Sequence, residues 1–371
     1  MPLFPLPLIR RLDWSLRPMR ALVARRWWRE AEVDAWLARF NPAWRLQRTF
    51  ARVESRRWVA DDMLALTLRA NANWRGARPG QHVQLYLELD GVRLSRSYSL
   101  TALHPGGRLE IAIKRQPGGR LSNPLLDSLA VGQVLELGQP FGELQWPEDA
   151  PGVLLLAAGS GLTPLLGLLR SALAQGFAAP VTLLHYVRQQ GQRAFVDELQ
   201  ALQAQHANLQ VRWALSGEAA EDGELSGRFS AEHLQALAQA EPPQVFACGP
   251  AGFVEQVQQW WRSAPRPGAL QVEAFSPPNF SHDLAPRALR LRFARSQREI
   301  AGDNQRSLLL QAEAEGLRPA HGCRQGICAS CTCRLVSGAV RDLRSGQITS
   351  EPDQAIRLCI NVPLGDVTVD L

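Results

Sequence analysis

The sequence predicts a multi-domain protein in three successive parts: an antiparallel β-barrel, an α/β unit with a parallel sheet, and a C-terminal α+β domain. Three observations predict it. From about Leu46 apolar residues recur at a period of two in short, closely spaced runs, as barrel strands require. After the proline-marked boundary Pro147–Pro151, strand-like and helix-like stretches alternate, the pattern of a parallel sheet covered by helices. Near the end stand Cys323, Cys328, Cys331 and Cys359 in the order C-x4-C-x2-C, a long gap, then C. At 371 residues the chain is long enough to give each part its own core.

Residues 1–45 form an extension rich in tryptophan (Trp14, Trp27, Trp28, Trp36, Trp44), with nine arginines against four acidic residues. Ala21–Phe40 reads as one helix, with Leu22, Trp27, Val33, Trp36, Leu37 and Phe40 as its apolar contacts. Two readings stand for it. Either it packs on the neighbouring domain with a solvated basic face, or residues 1–40 make peripheral contact with a membrane surface. Met1–Ile9 is apolar but short, and Arg10 and Arg11 follow it instead of preceding it, so no secretion signal is expected.

Residues 46–147 are the barrel. Phe50–Ser55, Met63–Arg69, His82–Leu89, Ser97–Thr101, Arg108–Lys114 and Val134–Leu137 read as strands, and Asp90-Gly91 as a hairpin turn. Within it lie Arg96-Ser97-Tyr98-Ser99-Leu100, then Ile111-Ala112-Ile113-Lys114-Arg115, then Gly119-Arg120-Leu121-Ser122-Asn123. A helix beginning near Ser122 directs free N–H groups at a phosphate. An arginine adds charge-assisted bonds to the same group.

Residues 148–276 alternate: Val153–Ala157, Leu162–Ala174, Val181–Tyr186, Phe195–Gln205, Val211–Ala214, Ala231–Ala240, Gln244–Ala247 and Gly252–Arg262. Ala150–Leu169 carries no charge over the length of a membrane span. Gly159, Ser160, Gly161, Thr163 and Pro164 interrupt it, so strand, turn and helix explain it better. That turn is not G-x-G-x-x-G, yet its glycines permit a tight turn that points a helix N-terminus at a diphosphate. Cys248-Gly249-Pro250 follows a late strand; taken alone, Cys248 reads as a core residue. His185 reads as a strand residue with a local hydrogen bond. Residues 277–287, with Pro277, Pro278 and Pro286, read as a linker, and residues 288–371 as the last domain.

The cysteine spacing is the ligand order of a plant-type [2Fe–2S] centre. Soft thiolates suit iron–sulfur clusters, zinc and Cu(I). A zinc site usually shows two C-x2-C pairs or added histidines, and only one such pair is present. Gly322 and Gly326 let the loop bring N–H groups close to sulfur. Cys333 reads as a small buried side chain. Six cysteines, four of them spoken for, argue against a disulfide scaffold and for a reducing, cytoplasmic setting. Net charge is +6, nearly all from arginine, with Lys114 the sole lysine. No nucleic-acid motif accompanies it, so no nucleic-acid partner is expected.

The Cys-Arg-x-Gly-x-Cys-x-x-Cys run resembles plant-type ferredoxins. That resemblance implies a β-grasp domain holding a [2Fe–2S] cluster on Cys323, Cys328, Cys331 and Cys359. Over about Leu46–Leu371 the R-x-Y-S run, the glycine turn and the Cys-Gly-Pro resemble the ferredoxin–NADP reductase-like flavoproteins. The resemblance implies FAD in preference to FMN. Arg96 then binds its phosphate, Ser97 joins the cofactor site, Tyr98 packs on the flavin or ribityl, and Ser99 lies near the reactive N5. Ile113, Lys114, Gly119, Leu121 and Ser122 line the rest. Gly159, Ser160, Gly161, Thr163, Pro164, Gly249 and Pro250 take the nicotinamide coenzyme. Cys248 sits beside the nicotinamide, and Phe275, in Val272-Glu273-Ala274-Phe275, covers the flavin face. Arg188, with Arg193 second, meets a 2′-phosphate and favours NADPH; Ser216-Gly217 departs from the usual serine–arginine pair and leaves NADH open.

The implied activity is electron transfer from NAD(P)H through FAD and the cluster to a separate acceptor. The extension ending Asn41-Pro42-Ala43-Trp44, with Arg-x-Tyr-Ser-Leu-Thr in the barrel, looks most like the reductase partners of acyl-CoA desaturases. This implies a membrane-bound fatty-acid desaturase as acceptor. A ring-hydroxylating or other oxygenase, or a hybrid-cluster protein, is the alternative; a redox sensor without an acceptor is the alternative of another class.

Overall fold

The computed structural model describes residues 16–89, 92–236, 244–266, 268–275 and 285–371. Met1–Ile9, Trp14, the Asp90-Gly91 turn, the end of the Ala231–Ala240 helix and most of the 277–287 linker lie outside the described residues. The chain forms two compact units. One runs to Ala247 and takes in Ala264–Gln271; the other comprises Cys248–Ser263 and Val272–Leu371.

The expected single N-terminal helix is two: α1 (Arg17–Ala24) and α2 (Glu30–Phe40). Arg26 at φ 60° breaks them apart, a left-handed conformation that ends a helix. Of the six expected apolar contacts, only Val33 and Leu37 are buried, against Leu46, with Leu16, Met19, Val23 and Trp44 partly buried around them. Trp27, Trp36 and Phe40 are exposed instead.

Six strands close the barrel: β1 (Thr49–Ala60), β2 (Met63–Ala70), β3 (His82–Leu89), β4 (Val92–His104), β5 (Arg108–Lys114) and β6 (Val134–Leu137), in the order β1-β2-β5-β4-β3-β6. Closure leaves no free edge. Val53, Leu66, Val83, Leu85, Ile111, Ile113 and Leu137 fill its interior. Helix α3 (Ser122–Ser128) packs Leu125 and Leu126 into the same core.

The α/β segment follows. Its strands β7 (Val153–Ala158), β8 (Val181–Val187), β9 (Leu209–Leu215) and β10 (Leu225–Ser226) pair in parallel. β11 (Gln244–Gly249) lies beyond β7, and β12 (Ala269–Ala274) ends the segment. β8 is buried along its whole length, as a strand covered on both faces must be. Its helices are α4 (Leu162–Ala174), α5 (Val196–Gln205), α6 (Ala231–Ala236) and α7 (Ala251–Arg262). Within the first unit α4 approaches β4 closely: a Cβ on Gly167 would fall 2.3 Å from the Leu100 carbonyl oxygen.

The C-terminal domain pairs β13 (Ala288–Phe293) with β14 (Arg298–Asp303) as a hairpin, and helix α8 (Leu308–Ala314) follows. The remaining strands are β15 (Thr332–Ser337), β16 (Val340–Asp342), β17 (Ile348–Thr349), β18 (Ala355–Arg357), β19 (Asn361–Pro363) and β20 (Val367–Val369). The sheet runs β14-β13-β20-β15-β18, with β13 and β20 parallel, and β17-β16-β19 form a second small sheet. Ser307 caps α8 by accepting the Leu310 N–H, and Leu308, Leu309 and Ala312 join Leu291, Phe293 and Leu335 in the core.

Candidate functional site

The cysteine loop lies between α8 and β15 and is shaped by three left-handed residues: Arg324 (φ 59°), Gly326 (φ 74°) and Ala329 (φ 56°). Gly326 has to be glycine. A Cβ there would lie 2.3 Å from Ile360 Cδ1. This geometry turns N–H groups onto sulfur: Gln325 N–H donates to Cys323 Sγ at 3.3 Å, as do Cys328 at 3.3 Å and Ile327 at 3.4 Å. Gly326 N–H donates to Cys359 Sγ at 3.2 Å, and Cys323 N–H to Cys328 Sγ at 3.2 Å.

The four thiols gather as two pairs. A hydrogen bond from Cys323 holds Cys328 down at about 5 while Cys323 is pushed up. A second, from Cys359, holds Cys331 at about 7 and pushes Cys359 up. Among the described residues no three His, Cys, Asp or Glu side chains surround one ion position. Two thiolates for each of two irons is what a [2Fe–2S] group asks of Cys₄ ligation, and the preformed N–H···S bonds fit it. Cys331 and Cys359 are buried; Cys323 and Cys328 lie nearer the surface. Cys333 is half-buried, not fully buried as expected, and its Sγ faces the Arg334 carbonyl.

Three supports of this loop were not visible in the sequence. Arg324 forks onto Glu313 of α8, at 2.8 and 2.6 Å. His321 lies 2.9 Å from the same guanidinium. Arg357 donates to the Gly326 carbonyl.

In the barrel, β4 pairs with β3 so that Arg96, Tyr98 and Ser99 stand opposite Leu85, Val83 and His82. Ser99 is buried and Tyr98 half-buried, and desolvation raises the Tyr98 hydroxyl pKa. Arg96 is exposed and donates to the adjacent Ser95 carbonyl at 2.7 Å. Ser97 Oγ is shielded and has no partner among the described residues. A hydroxyl left so costs energy unless a ligand satisfies it. Ile113 lies in the core. Gly119 lies so close to Ser122 that a Cβ would meet its Oγ at 2.2 Å; Leu121 and Ser122 are buried at the start of α3. This cradle fits a phosphorylated ring cofactor.

Gly159 (φ 54°), Ser160 and Gly161 form a 3₁₀ turn from β7 into α4. Thr163 Oγ1 donates to the Ser160 carbonyl at 2.9 Å, and Pro164, like Thr163, is buried in the first turn of α4. The turn is held from afar. His185 Nε2 lies 3.0 Å from the Gly159 carbonyl oxygen, so the contact is not local in sequence. Burial holds this imidazole down at about 4, against the Gly159 hydrogen bond and with help from the Lys114 charge. It is neutral at pH 7, so Nε2 carries the proton and donates. Lys114 Nζ pairs with Asp62 at 3.3 Å and lies 3.5 Å from where a Gly159 Cβ would stand.

At the end of β8, Arg188 is exposed and its guanidinium has no partner among the described residues. Arg193 is already engaged by Glu224 at 2.8 Å, with Trp213 beneath it. Ser216 N–H and Oγ both donate to the Val187 carbonyl.

In the second unit Cys248 is fully buried; desolvation, then the Glu273 carboxylate, pushes its thiol well up. It stays a thiol at neutral pH. Gly249 accepts the Phe275 N–H at 2.8 Å, and Pro250 caps α7. Phe275 is half-buried.

Residues 51–146 match the oxidoreductase FAD-binding domain family, 155–259 the oxidoreductase NAD-binding domain family and 292–363 the 2Fe-2S iron-sulfur cluster binding domain family. An NADPH oxidoreductase of Mycobacterium tuberculosis is 31% identical over 347 residues, covering 91% of this chain and 88% of its own length. A component of the 1,2-phenylacetyl-CoA epoxidase of Escherichia coli is 28% identical, covering 79% and 88%. The solved structure of phthalate dioxygenase reductase covers 87% of this chain and 97% of its own, with TM-score 0.57 and 22% identity. The chain therefore belongs to the ferredoxin-reductase-type NAD(P)H oxidoreductases that carry FAD-binding, NAD-binding and [2Fe–2S] domains in that order.

Proposed function

We propose that this protein draws electrons from NADPH and delivers them singly to a separate oxygen-activating enzyme. The preformed N–H···S loop carries the reading. It is built to hold an electron outlet, and the chain's similarity to an epoxidase component supports an oxygenase-class acceptor. Bound FAD accepts hydride as an electron pair, and a [2Fe–2S] centre passes electrons one at a time. The protein's own residues do the positioning. Arg96, Ser97 and the start of α3 hold the flavin's phosphates, and Tyr98 packs on it. Ser99 presents a shielded hydroxyl toward the ring. The Gly159–Pro164 turn receives the coenzyme diphosphate; in the second unit, Gly249, Pro250 and the protonated thiol of Cys248 are the nicotinamide candidates. Phe275 is the second unit's candidate aromatic for the flavin face.

NADPH is the coenzyme we propose, because Arg188 is free to meet a 2′-phosphate while Arg193 is not. Within the acceptor class, an acyl-CoA desaturase in a membrane is the finer reading, and a soluble ring-hydroxylating oxygenase is the competitor. Reconstitution decides between them. Anaerobic NADPH titration should show flavin and cluster bleaching together, and desaturase-containing membranes should then form double bonds only with this protein present. Electron delivery to soluble oxygenase alone would remove the desaturase. Bleaching of flavin with no electrons reaching any acceptor would remove the relay and leave a sensor.

A further inference from the structure

The N-terminal helices bury one face, Val33 and Leu37 against Leu46, and the segment is bolted to the barrel. Asp34 Oδ1 accepts the Leu46 N–H at 2.8 Å, Arg20 Nε donates to the Leu46 carbonyl at 2.9 Å, and Asn71 Nδ2 donates to the Ala43 carbonyl at 2.9 Å. The packing role expected of this segment is thus filled by one face alone.

What remains exposed is the turn between the two helices and the edge of α2 beside that buried face. Trp27 is 72% exposed, Trp28 50%, Trp36 50% and Phe40 65%. These are four of the nine large apolar side chains exposed among the described residues, concentrated in fourteen consecutive positions. Trp36 and Phe40 hold each other edge to face at 4.8 Å, one turn apart. Interleaved with them are Arg25, Arg26, Arg29 and Arg39, all exposed, and none has an ion-pair partner among the described residues. Three carboxylates stand against those four arginines in residues 25–40, but only Glu32 is exposed; Glu30 is half-buried and Asp34 is buried against Leu46 and Arg48.

We propose that residues 25–40 dock this protein on an anionic lipid surface, with the arginines on headgroup phosphates and the aromatic rings at the headgroup boundary. Tryptophan and arginine together match that boundary, where one end of a side chain is apolar and the other wet. Charge decides against a second copy of this chain, because a two-fold contact would set four arginines against four. The docking stands independently of which acceptor is served.

Flotation of the full-length holoprotein tests it, with vesicles of phosphatidylcholine alone or mixed with phosphatidylglycerol. Binding is expected on the anionic vesicles, weakening as salt rises. Joint replacement Trp27→Ser, Trp28→Ser, Trp36→Ser and Phe40→Ser should weaken it about tenfold or more, with NADPH–ferricyanide turnover unchanged as the check on folding. Arg25→Glu, Arg26→Glu and Arg29→Glu should abolish the preference for anionic lipid. Equal binding to both vesicle types, no binding to either, or undiminished binding by the aromatic variant overturns the proposal. So does a dimer in solution that the same substitutions dissociate.

Discussion

In the loop Cys323–Cys331, three N–H groups from within five residues converge on the Cys323 sulfur. In the turn Gly159–Pro164, the carbonyl of Gly159 is held by His185, 26 residues on, and α4 is tied down further along by Arg170. That guanidinium donates to the Thr101 carbonyl at 2.7 Å and to Glu110 of β5 at 2.8 Å, and it forks onto Glu198 of α5. Both regions are glycine-shaped turns with a glycine at positive φ. The first takes the N–H donors to Cys323 from its own neighbours, with Cys359, Glu313 and Arg357 bracing it from farther along the chain; the second borrows its shape from the β7–β8 register and from the barrel. A locally wired site should fail alone, whereas a borrowed one should fail with the surrounding fold.

The largest expected effect breaks the local site. Cys328→Ser removes one thiolate of a pair, so cluster absorbance should vanish. NADPH-driven reduction of cytochrome c should fall at least about 100-fold, since even supporting residues around a metal are worth up to that much. Bleaching of the flavin by NADPH should continue at the parent rate. Loss of flavin reduction together with the cluster would show that the two regions are not separable.

Next comes the pH response of the borrowed site. The buried His185 imidazole titrates near 4 in the folded protein, because burial disfavours its cation, against about 6.5 in an unfolded chain. Between those values the unfolded state binds the extra proton. Stability is therefore intact above about 6.5 and falls as pH drops toward 4, by about 3 kcal/mol in all. Urea midpoints measured from pH 7 to 4 should trace that fall, and His185→Gln should flatten it. An unchanged slope in the variant would mean that the histidine contributes no such term.

Smaller again is the loss at Arg170. Its side chain is 18% exposed and it neutralises Glu110 and Glu198, which are 12% and 30% exposed. Arg170→Met leaves both carboxylates short of a partner and should destabilise the protein by about 2 kcal/mol. Arg170→Lys should recover part of it, since lysine supplies charge without the fork. Because Arg170 holds β4 two residues beyond Ser99, hydride transfer to the flavin should slow in the methionine variant while KM for NADPH changes little. A KM change alone would place Arg170 at the coenzyme instead.

The same contrast explains what could be read from the chain. The cysteine loop was legible because three of its four cysteines and most of its N–H donors are neighbours in sequence. The barrel and the parallel sheet were legible because period two and strand–helix alternation are local patterns, and Leu162–Ala174 lies where its apolar spacing placed it. His185 was not legible as a prop. Its ring reaches Gly159 only because β7 and β8 pair in the register Ala157 to His185. The break at Arg26 was hidden too, since arginine at positive φ leaves no glycine to mark it. Arg324 onto Glu313 was missed for a third reason: eleven arginines in the last domain offer many pairings, and only the fold chooses.

The smallest effect concerns Arg188, where the borrowed site meets solvent. Its guanidinium is exposed and unpaired among the described residues, beyond the end of β8. Solvent screens a charge so placed, so its worth toward a 2′-phosphate is about one charge-assisted hydrogen bond, or roughly tenfold in affinity. Arg188→Ala should raise KM for NADPH about tenfold while leaving kcat, the NADH parameters and cluster absorbance as they were. Arg193→Ala should act differently. It frees the half-buried Glu224 from its only salt bridge among the described residues, so it should lower stability without changing the NADPH to NADH ratio. If Arg193→Ala shifts that ratio and Arg188→Ala does not, the coenzyme reaches past the strand end to the arginine that Glu224 now holds.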